Sequence, residues 1–203
     1  MTIRLHRGDL PDLGRYRDTV AIDTETMGLD HHRDRLCVVQ LSPGDGSADV
    51  VQIPRGTSEA PNLRKLLANP GVTKIFHFAR FDLGVLQQTF GIMATPVYCT
   101  KIASRLVRTY TDKHGLKDLT RDLLGIEVSK QQQLTDWGAE GLTEAQVAYA
   151  ASDVLHLHAL RRRLDAMLIR EGRDALARAS FEFLPHRVLL DLGGWAEQDI
   201  FAH

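Results

Sequence analysis

The stretch Val20-Ala21-Ile22-Asp23-Thr24-Glu25 governs the reading of this chain. Its apolar, β-compatible start predicts a short strand. That strand ends on a carboxylate, which is costly beside an apolar core unless it is paired or bound to a cation. Glu25 follows two positions later, and residues two apart on a strand face the same side. Asp23 and Glu25 therefore point together, and two like charges held together call for a cation between them. A turn beginning at Asp23, with Glu25 in solvent, is the plainer alternative. These six residues alone leave both open.

Working outward, the run 36–41 is a second strand, and 49–53 a third that Pro54 ends. Between them Ser42-Pro43-Gly44-Asp45-Gly46 is turn chemistry, so the pair reads as a hairpin. A short helix over 62–69 stops at Pro70-Gly71, and a strand over 74–77 runs into a helix at 81–86. The second half is helical, with apolar residues at helix period in 101–108, 116–124 and 144 to about 164. Thr143 and Gln146 give the last of these a capping-box start. A further helix over about 173–183 is expected to stop before Pro185. Strands first and helices after predict an α/β domain, a mixed sheet with helices packed around it.

At 203 residues, 43% hydrophobic and 25% charged, the composition is that of an ordinary globular domain, which excludes disordered and collagen-like chains. No apolar run reaches the roughly 18 residues of a membrane span. The first residues lack the apolar stretch of a secretory signal. Two cysteines, Cys37 and Cys99, cannot form a dense disulfide framework, so a reducing cytoplasm is the expected compartment. A net charge of -1 excludes a strongly basic nucleic-acid coat. Arginine outnumbers lysine, which suits phosphate contacts and ion pairs alike, and solvated surface is the plain reading for most of them.

Asp82 falls at the second strand-to-helix transition, where by itself it reads as a helix cap. Tyr149 and Asp153 are spaced i, i+4 and share one helix face, among the small residues Ala145, Ala148, Ala150 and Ala151. As a lone pair they read as surface. Taken together, four carboxylates from a strand, a helix start and a later helix match the oxygen ligands of a two-metal site for phosphodiester cleavage.

The order and spacing of these residues resemble the DEDD superfamily of 3′–5′ exonucleases, which have a ribonuclease H-like fold. Asp23-Thr24-Glu25 is similar to the first motif, 77–82 to the second, and 149–153 to the third in its tyrosine-bearing variant. The segments 101–106, Lys130-Gln131-Gln132-Gln133 and Asp136-Trp137 add similarity to ribonuclease D, and the resemblance covers about 18–165. The wording of HRDRLCVVQLS, KIFHFARFDL and SKQQQ, with the ending WAEQDIFAH, further resembles the nano-RNase C family of compact enzymes that clear dinucleotides. The resemblance implies a catalytic set of Asp23, Glu25, Asp82, Tyr149 and Asp153. The four carboxylates would hold two divalent ions, Mg²⁺ or Mn²⁺, and Asp23 would touch both. Tyr149 would orient the attacking water. It also implies a homo-oligomer, with a ring of eight subunits as the family expectation.

Two departures from the wider pattern stand out. Phe78 occupies a position that is usually Asn, so a polar contact is replaced by an apolar wall. Cys99-Thr100 replaces Asp-Thr before the next helix, which removes a helix cap. For the terminal nucleoside the candidates are Thr26, Met27, Gly28 and Leu29, with Gly28 allowing close backbone approach and Leu29 either a wedge between bases or ordinary core. His77 and Phe78 could wall a base or ribose, or pack as strand-end core. For a 5′ phosphate the candidates are Arg108, Tyr110, His114 and Lys117, and Lys130 and Gln133 lie in a polar loop that could close over substrate. Each of these six, taken singly, reads more readily as surface than as a contact. Leu184 to His203 is too apolar for a free tail, with Trp195, Ile200 and Phe201, and is expected to dock on its own subunit or on a neighbour.

No Walker A sequence, Rossmann glycine fingerprint, CxxC pair or nucleophile elbow is present. His156 and His158 do not share a helix face, which argues against a zinc pair. The expectation is one exonuclease domain over 1–203, with a core of about 18–165, a helical extension over 166–203 and no C-terminal accessory nucleic-acid-binding domain. It would hydrolyse very short RNA, chiefly dinucleotides, to nucleoside 5′-monophosphates. Trimming of longer RNA or DNA 3′ ends is the alternative within the same chemistry, and a catalytically silent nucleic-acid-binding module the alternative outside it.

Overall fold

In chain order the strands are β1 (Thr2–Arg7), β2 (Thr19–Thr26), β3 (Leu36–Ser42), β4 (Ser47–Gln52), β5 (Thr73–Phe76) and β6 (Val97–Cys99). They form one sheet in the order β1-β4-β3-β2-β5-β6, mixed because β3 runs antiparallel to β2 and β4 while the other pairs are parallel. The computed structural model describes residues 2–57, 59–128 and 135–202. Every residue of β3 and β4 is buried, so these central strands are covered on both faces.

β1 carries no apolar run and escapes sequence reading. Its side chains, with two from the following loop, converge instead on the buried carboxylate of Asp49 in β4. Arg4 Nε donates to it at 2.7 Å, Arg15 Nη1 at 2.8 Å and the Tyr16 hydroxyl at 2.5 Å, and His6 Nε2 bonds it at 2.8 Å. A buried charge is tolerable when it is paired and hydrogen-bonded in this way. β6 is three residues long, too short for a periodic signal.

The helices are α1 (Pro61–Ala68), α2 (Ala79–Phe90), α3 (Thr100–Val107), α4 (Leu116–Leu119), α5 (Glu144–Leu155), α6 (Leu157–Arg170) and α7 (Asp174–Leu190). α1 begins with proline, and Asp9 accepts the N–H groups of Asn62 and Leu63 at 2.8 Å each, doing the work of a cap from a distant loop. α3 has no side-chain cap at Cys99, in line with the loss of Asp there. α4 leads into a π-helical turn over Thr120–Leu124.

Two expected boundaries are corrected. The helix expected over 144 to about 164 is two helices, broken at His156 (φ -102°, ψ -7°). α5 packs on β2, β3 and β4, whereas α6 packs on α3 and β5, and one straight helix would not serve both sets. The Thr143–Gln146 capping box is present as expected. α7 does not stop before Pro185 but runs through it to Leu190. Proline costs a hydrogen bond to the preceding turn, yet Ala177, Phe181, Leu184 and Val188 form a continuous buried stripe that keeps the helix in register.

The last residues dock on the same chain. Arg80, at the start of α2, donates to both carboxylate oxygens of Asp191 at 2.5 and 2.7 Å and to the Ala196 carbonyl at 3.1 Å. The aromatic ends stay outside, with Phe201 68% exposed.

Candidate active site

The site is built where three elements meet. β2 brings Asp23 and Glu25 to one side, as strand alternation requires. Only His77 and Phe78 separate β5 from α2, whose first turn carries Asp82. α5 lies across β2 and presents Tyr149 and Asp153 from one face. All five residues line one cavity of about 610 Å³. Asp23, Glu25 and Asp153 each offer a carboxylate oxygen, and these oxygens lie within 4.8 Å of one another. A larger recess of about 810 Å³, lined by Tyr98, Arg161, Phe181 and Pro185, contains none of these groups. The chemistry therefore points to the smaller cavity.

Crowding shows in the protonation of the cluster. Asp23 is held well above the usual carboxylate range, chiefly by burial and then by the charges of Asp82, Asp153 and Glu25. Burial, then Asp153 and Asp82, push Glu25 up to about 9. Asp82 rises to about 7 through burial, opposed by the Thr24 hydroxyl and nearby backbone N–H groups. Tyr149 is raised by burial and by Asp153, so its phenol stays neutral. Trp137 backs the Tyr149 ring at a centroid distance of 6.0 Å. Across the β2–β3 pair, Gln40 Nε2 donates to Asp23 Oδ2 at 3.4 Å. An all-oxygen donor set of mutually repelling carboxylates suits a hard divalent cation, with Asp23, Glu25 and Asp153 as one group and Asp82 beside it.

The expected nucleoside residues are also brought to this cavity. Thr26, Met27, Gly28, Leu29, His77 and Phe78 all line it. Leu29 is 83% exposed, so it is not ordinary core. Phe78 holds a left-handed backbone (φ 67°), which its β-carbon disfavours. The Lys101 ammonium sits 4.1 Å from the Phe78 ring centroid. His77 is driven down to about 3 by burial and by Lys101, so it is neutral. Its Nδ1 lies 2.9 Å from Thr100 Oγ1, which itself donates to the Phe76 carbonyl. That pattern puts the proton on Nδ1 and leaves Nε2 as an acceptor.

Gly28 is a glycine for a reason internal to the loop. A β-carbon there would lie 2.2 Å from Asp34 Oδ2. That carboxylate accepts the Asp30 N–H at 3.0 Å and pairs with Arg33 at 2.8 Å. The direction a side chain would take from Gly28 is thus filled by Asp34, while its backbone lines the cavity.

The expected phosphate group divides. Lys117 lines the cavity. Arg108 does not: it is 2% exposed, and its guanidinium bonds Asp122 at 2.5 Å and the Lys113 carbonyl at 2.8 Å. It braces the turn after α3 from inside and is absent from the cavity lining, although the sequence offers it as a phosphate contact or a surface cation. His114 bonds Ser104 at 2.8 Å, and Tyr110 is exposed on the same turn. Lys130 and Gln133 lie outside the described residues. Thr24, Phe81, Gly115, Leu116, Val128, Thr135 and Trp137 line the cavity as well. Thr24, Phe81 and Trp137 stand inside segments that carry the resemblance, whereas the spacing of the other four carries no signal of its own.

A family model described as 3′-5′ exonuclease matches residues 12–169. Ribonuclease D of Acidiphilium cryptum is 38% identical over 154 residues, 76% of this chain and 39% of the relative, so the chain spans about two-fifths of that protein's length. Among solved structures, Brucella melitensis NrnC with bound Mg²⁺ is 61% identical with a TM-score of 0.96, covering 100% of both chains. Brucella melitensis NrnC bound to pGG is 62% identical with a TM-score of 0.97, covering 100% of this chain and 99% of that one. With the match running through β2, α2 and α5, which carry the four carboxylates, the chain belongs to the 3′–5′ exonuclease family and has its ribonuclease H-like DEDD fold.

Proposed function

We propose that the chain is a metal-dependent 3′–5′ exoribonuclease that hydrolyses very short RNA, chiefly dinucleotides, to nucleoside 5′-monophosphates. The observation that carries this reading is the cluster of Asp23, Glu25 and Asp153 oxygens within 4.8 Å, with Asp82 and Tyr149 on the same cavity. Asp23, Glu25, Asp82 and Asp153 would hold two divalent ions, Mg²⁺ or Mn²⁺. Such ions, when bound, supply the Lewis acidity that activates water and steadies a departing 3′ oxygen. The chain's own groups do the rest. The neutral Tyr149 hydroxyl gives the attacking water a hydrogen-bonding partner at a fixed place. Leu29, Met27 and Phe78 offer apolar surface to bases, with Leu29 as the wedge. His77 Nε2 can accept from a ribose hydroxyl. Lys117 is a cation on the wall of the cavity, with Tyr110 and His114 on the neighbouring turn.

The short-substrate reading is supported by the cavity, whose size lies in the range of roughly 300–1,000 Å³ that encloses small ligands. It is supported too by the relative bound to pGG, which matches over the whole of this chain. The same reading takes residues 1–203 as one exonuclease domain with a helical extension over 166–203, acting in the cytoplasm. Among the described residues no helix is long and apolar enough to cross a membrane. The exposed apolar side chains of the extension are the surface through which subunits would associate, by resemblance as a ring of eight.

The test is a mixture of a 5′-phosphorylated dinucleotide and a ten-nucleotide RNA at equal concentrations of 3′ ends, with Mg²⁺ or Mn²⁺. Faster loss of the dinucleotide is the expected result. Faster shortening of the long RNA, with dinucleotides accumulating, would make the enzyme a general 3′ trimmer. Gly28→Ala provides a narrower check. Its methyl would displace the Asp34 carboxylate from the Asp30 N–H that it accepts, and so loosen the loop that follows Met27 and Leu29. Misplacement of about 1 Å can cost 10²-fold. A rise of roughly tenfold or more in KM for the dinucleotide is expected, with kcat nearly kept. An unchanged KM would remove this loop from substrate binding.

A further inference from the structure

Thr24 separates Asp23 from Glu25 and, by strand alternation, points away from both. It is 6% exposed, and it points at the fourth carboxylate. Its hydroxyl donates to Asp82 Oδ1 at 2.7 Å, in a bond that is itself buried. This single strand residue therefore ties the carboxylate on α2 to the strand that carries two of the other three. The bond fixes Asp82 Oδ1 relative to β2, and with it the orientation of the whole carboxylate.

Asp82 needs such a tie. Asp23, Glu25 and Asp153 already bring oxygens within 4.8 Å of one another, and Asp82 stands beside that trio on the same cavity. Like charges push it outward, and α2 could carry it away. A hydroxyl donor on the rigid, interior strand opposes that push. We infer that Thr24 is a positioning residue, which holds the Asp82 carboxylate in the orientation that serves a divalent cation bound in the cavity. The inference rests on the metal-dependent reading given above and adds to it a residue whose hydroxyl acts through Asp82.

Valine is the informative substitution. It keeps the shape and β-branching of threonine in a buried strand and removes only the donor. Partners of this kind typically alter metal affinity by 10–100-fold. Mg²⁺ binding to the full chain is measured by calorimetry, with Mn²⁺ as a second probe, for wild type, Thr24→Val, Thr24→Ser, Asp82→Asn and the Val–Asn double variant. Melting without metal reports folding. Thr24→Val is expected to weaken Mg²⁺ binding by roughly 10–100-fold. Thr24→Ser is expected to stay within about threefold of wild type, because it restores the hydroxyl. In the Asp82→Asn background the valine is expected to add less than about twofold, since both act on one carboxylate. Wild-type affinity in Thr24→Val overturns the inference while leaving the metal reading intact. Equal weakening in Thr24→Ser and Thr24→Val also overturns it, because packing rather than the hydroxyl would then matter. A wild-type chain that takes up neither ion overturns the metal reading itself. Should valine prevent folding, Thr24→Ala against Thr24→Ser makes the same comparison.

Discussion

Asp23→Asn is expected to lower nucleotide release by at least about 10³-fold and, in the same protein, to raise the melting temperature of the metal-free chain at pH 8. The first effect follows from charge. Asparagine keeps the shape of the side chain but offers a cation no negative oxygen, and metal-assisted charge stabilisation is worth several kcal/mol. About 4 kcal/mol corresponds to three powers of ten in rate. The second effect has the opposite sign because Asp23 is crowded in the metal-free fold. Its carboxylate sits with those of Asp82, Asp153 and Glu25, and burial adds to their repulsion. Its partial opening to the cavity softens that penalty without removing it. A neutral amide relieves the crowding, and Gln40 remains beside it as a hydrogen-bond partner. Activity lost together with a fall in melting temperature would mean that Asp23 is structural. Activity within tenfold of wild type would take Asp23 out of the reaction.

The parts of this site that could be read from sequence are those set by local geometry. Asp23 and Glu25 share a side because a strand alternates, and Tyr149 and Asp153 share a face because a helix turns every 3.6 residues. The Thr143–Gln146 box marks the start of α5 for the same local reason. What escaped depends on partners distant in the chain. β1 is held by Asp49 rather than by apolar periodicity. α7 passes through Pro185 because a buried stripe outweighs one lost hydrogen bond. The break at His156 answers to two sets of neighbours, not to its own residue type. Arg108 looks like a surface cation until Asp122, fourteen residues on, is found bonded to it. Thr24 is the instructive case, because its neighbours' roles follow from alternation. Its own partner lies 58 residues away on α2.

Without Mg²⁺ the chain is expected to lose stability as pH rises from about 6.5 to 8, and Mg²⁺ is expected to flatten or reverse that slope. Glu25 is pushed up to about 9 and Asp82 to about 7, and Asp23 lies well above its ordinary range. In the unfolded chain these carboxyls have all ionised below that window. The folded protein therefore binds more protons than the unfolded one, and its stability falls with pH. The contribution is fully present below the unfolded values and disappears as pH climbs through the folded ones. Other groups fix the window. His77 and His158 are driven down to about 3 and about 4, so they make stability rise with pH, but only up to their ordinary value near 6.5. Lys74 is lowered to about 8 by burial and pulls the same way above that pH. Between the two the carboxylates dominate. One proton of difference is worth about 1.4 kcal/mol per pH unit, so one to two protons over this window amount to roughly 2–4 kcal/mol. For a domain of this size that is on the order of 10 °C in melting temperature. Mg²⁺ must displace the protons to bind, so its stabilisation grows with pH as theirs is lost. Thermal melts across this range, with chelator and with saturating Mg²⁺, should therefore diverge toward pH 8. Parallel curves would mean that the protons and the cation do not compete for the same oxygens, and the cluster of Asp23, Glu25 and Asp153 would then not be where the ion sits.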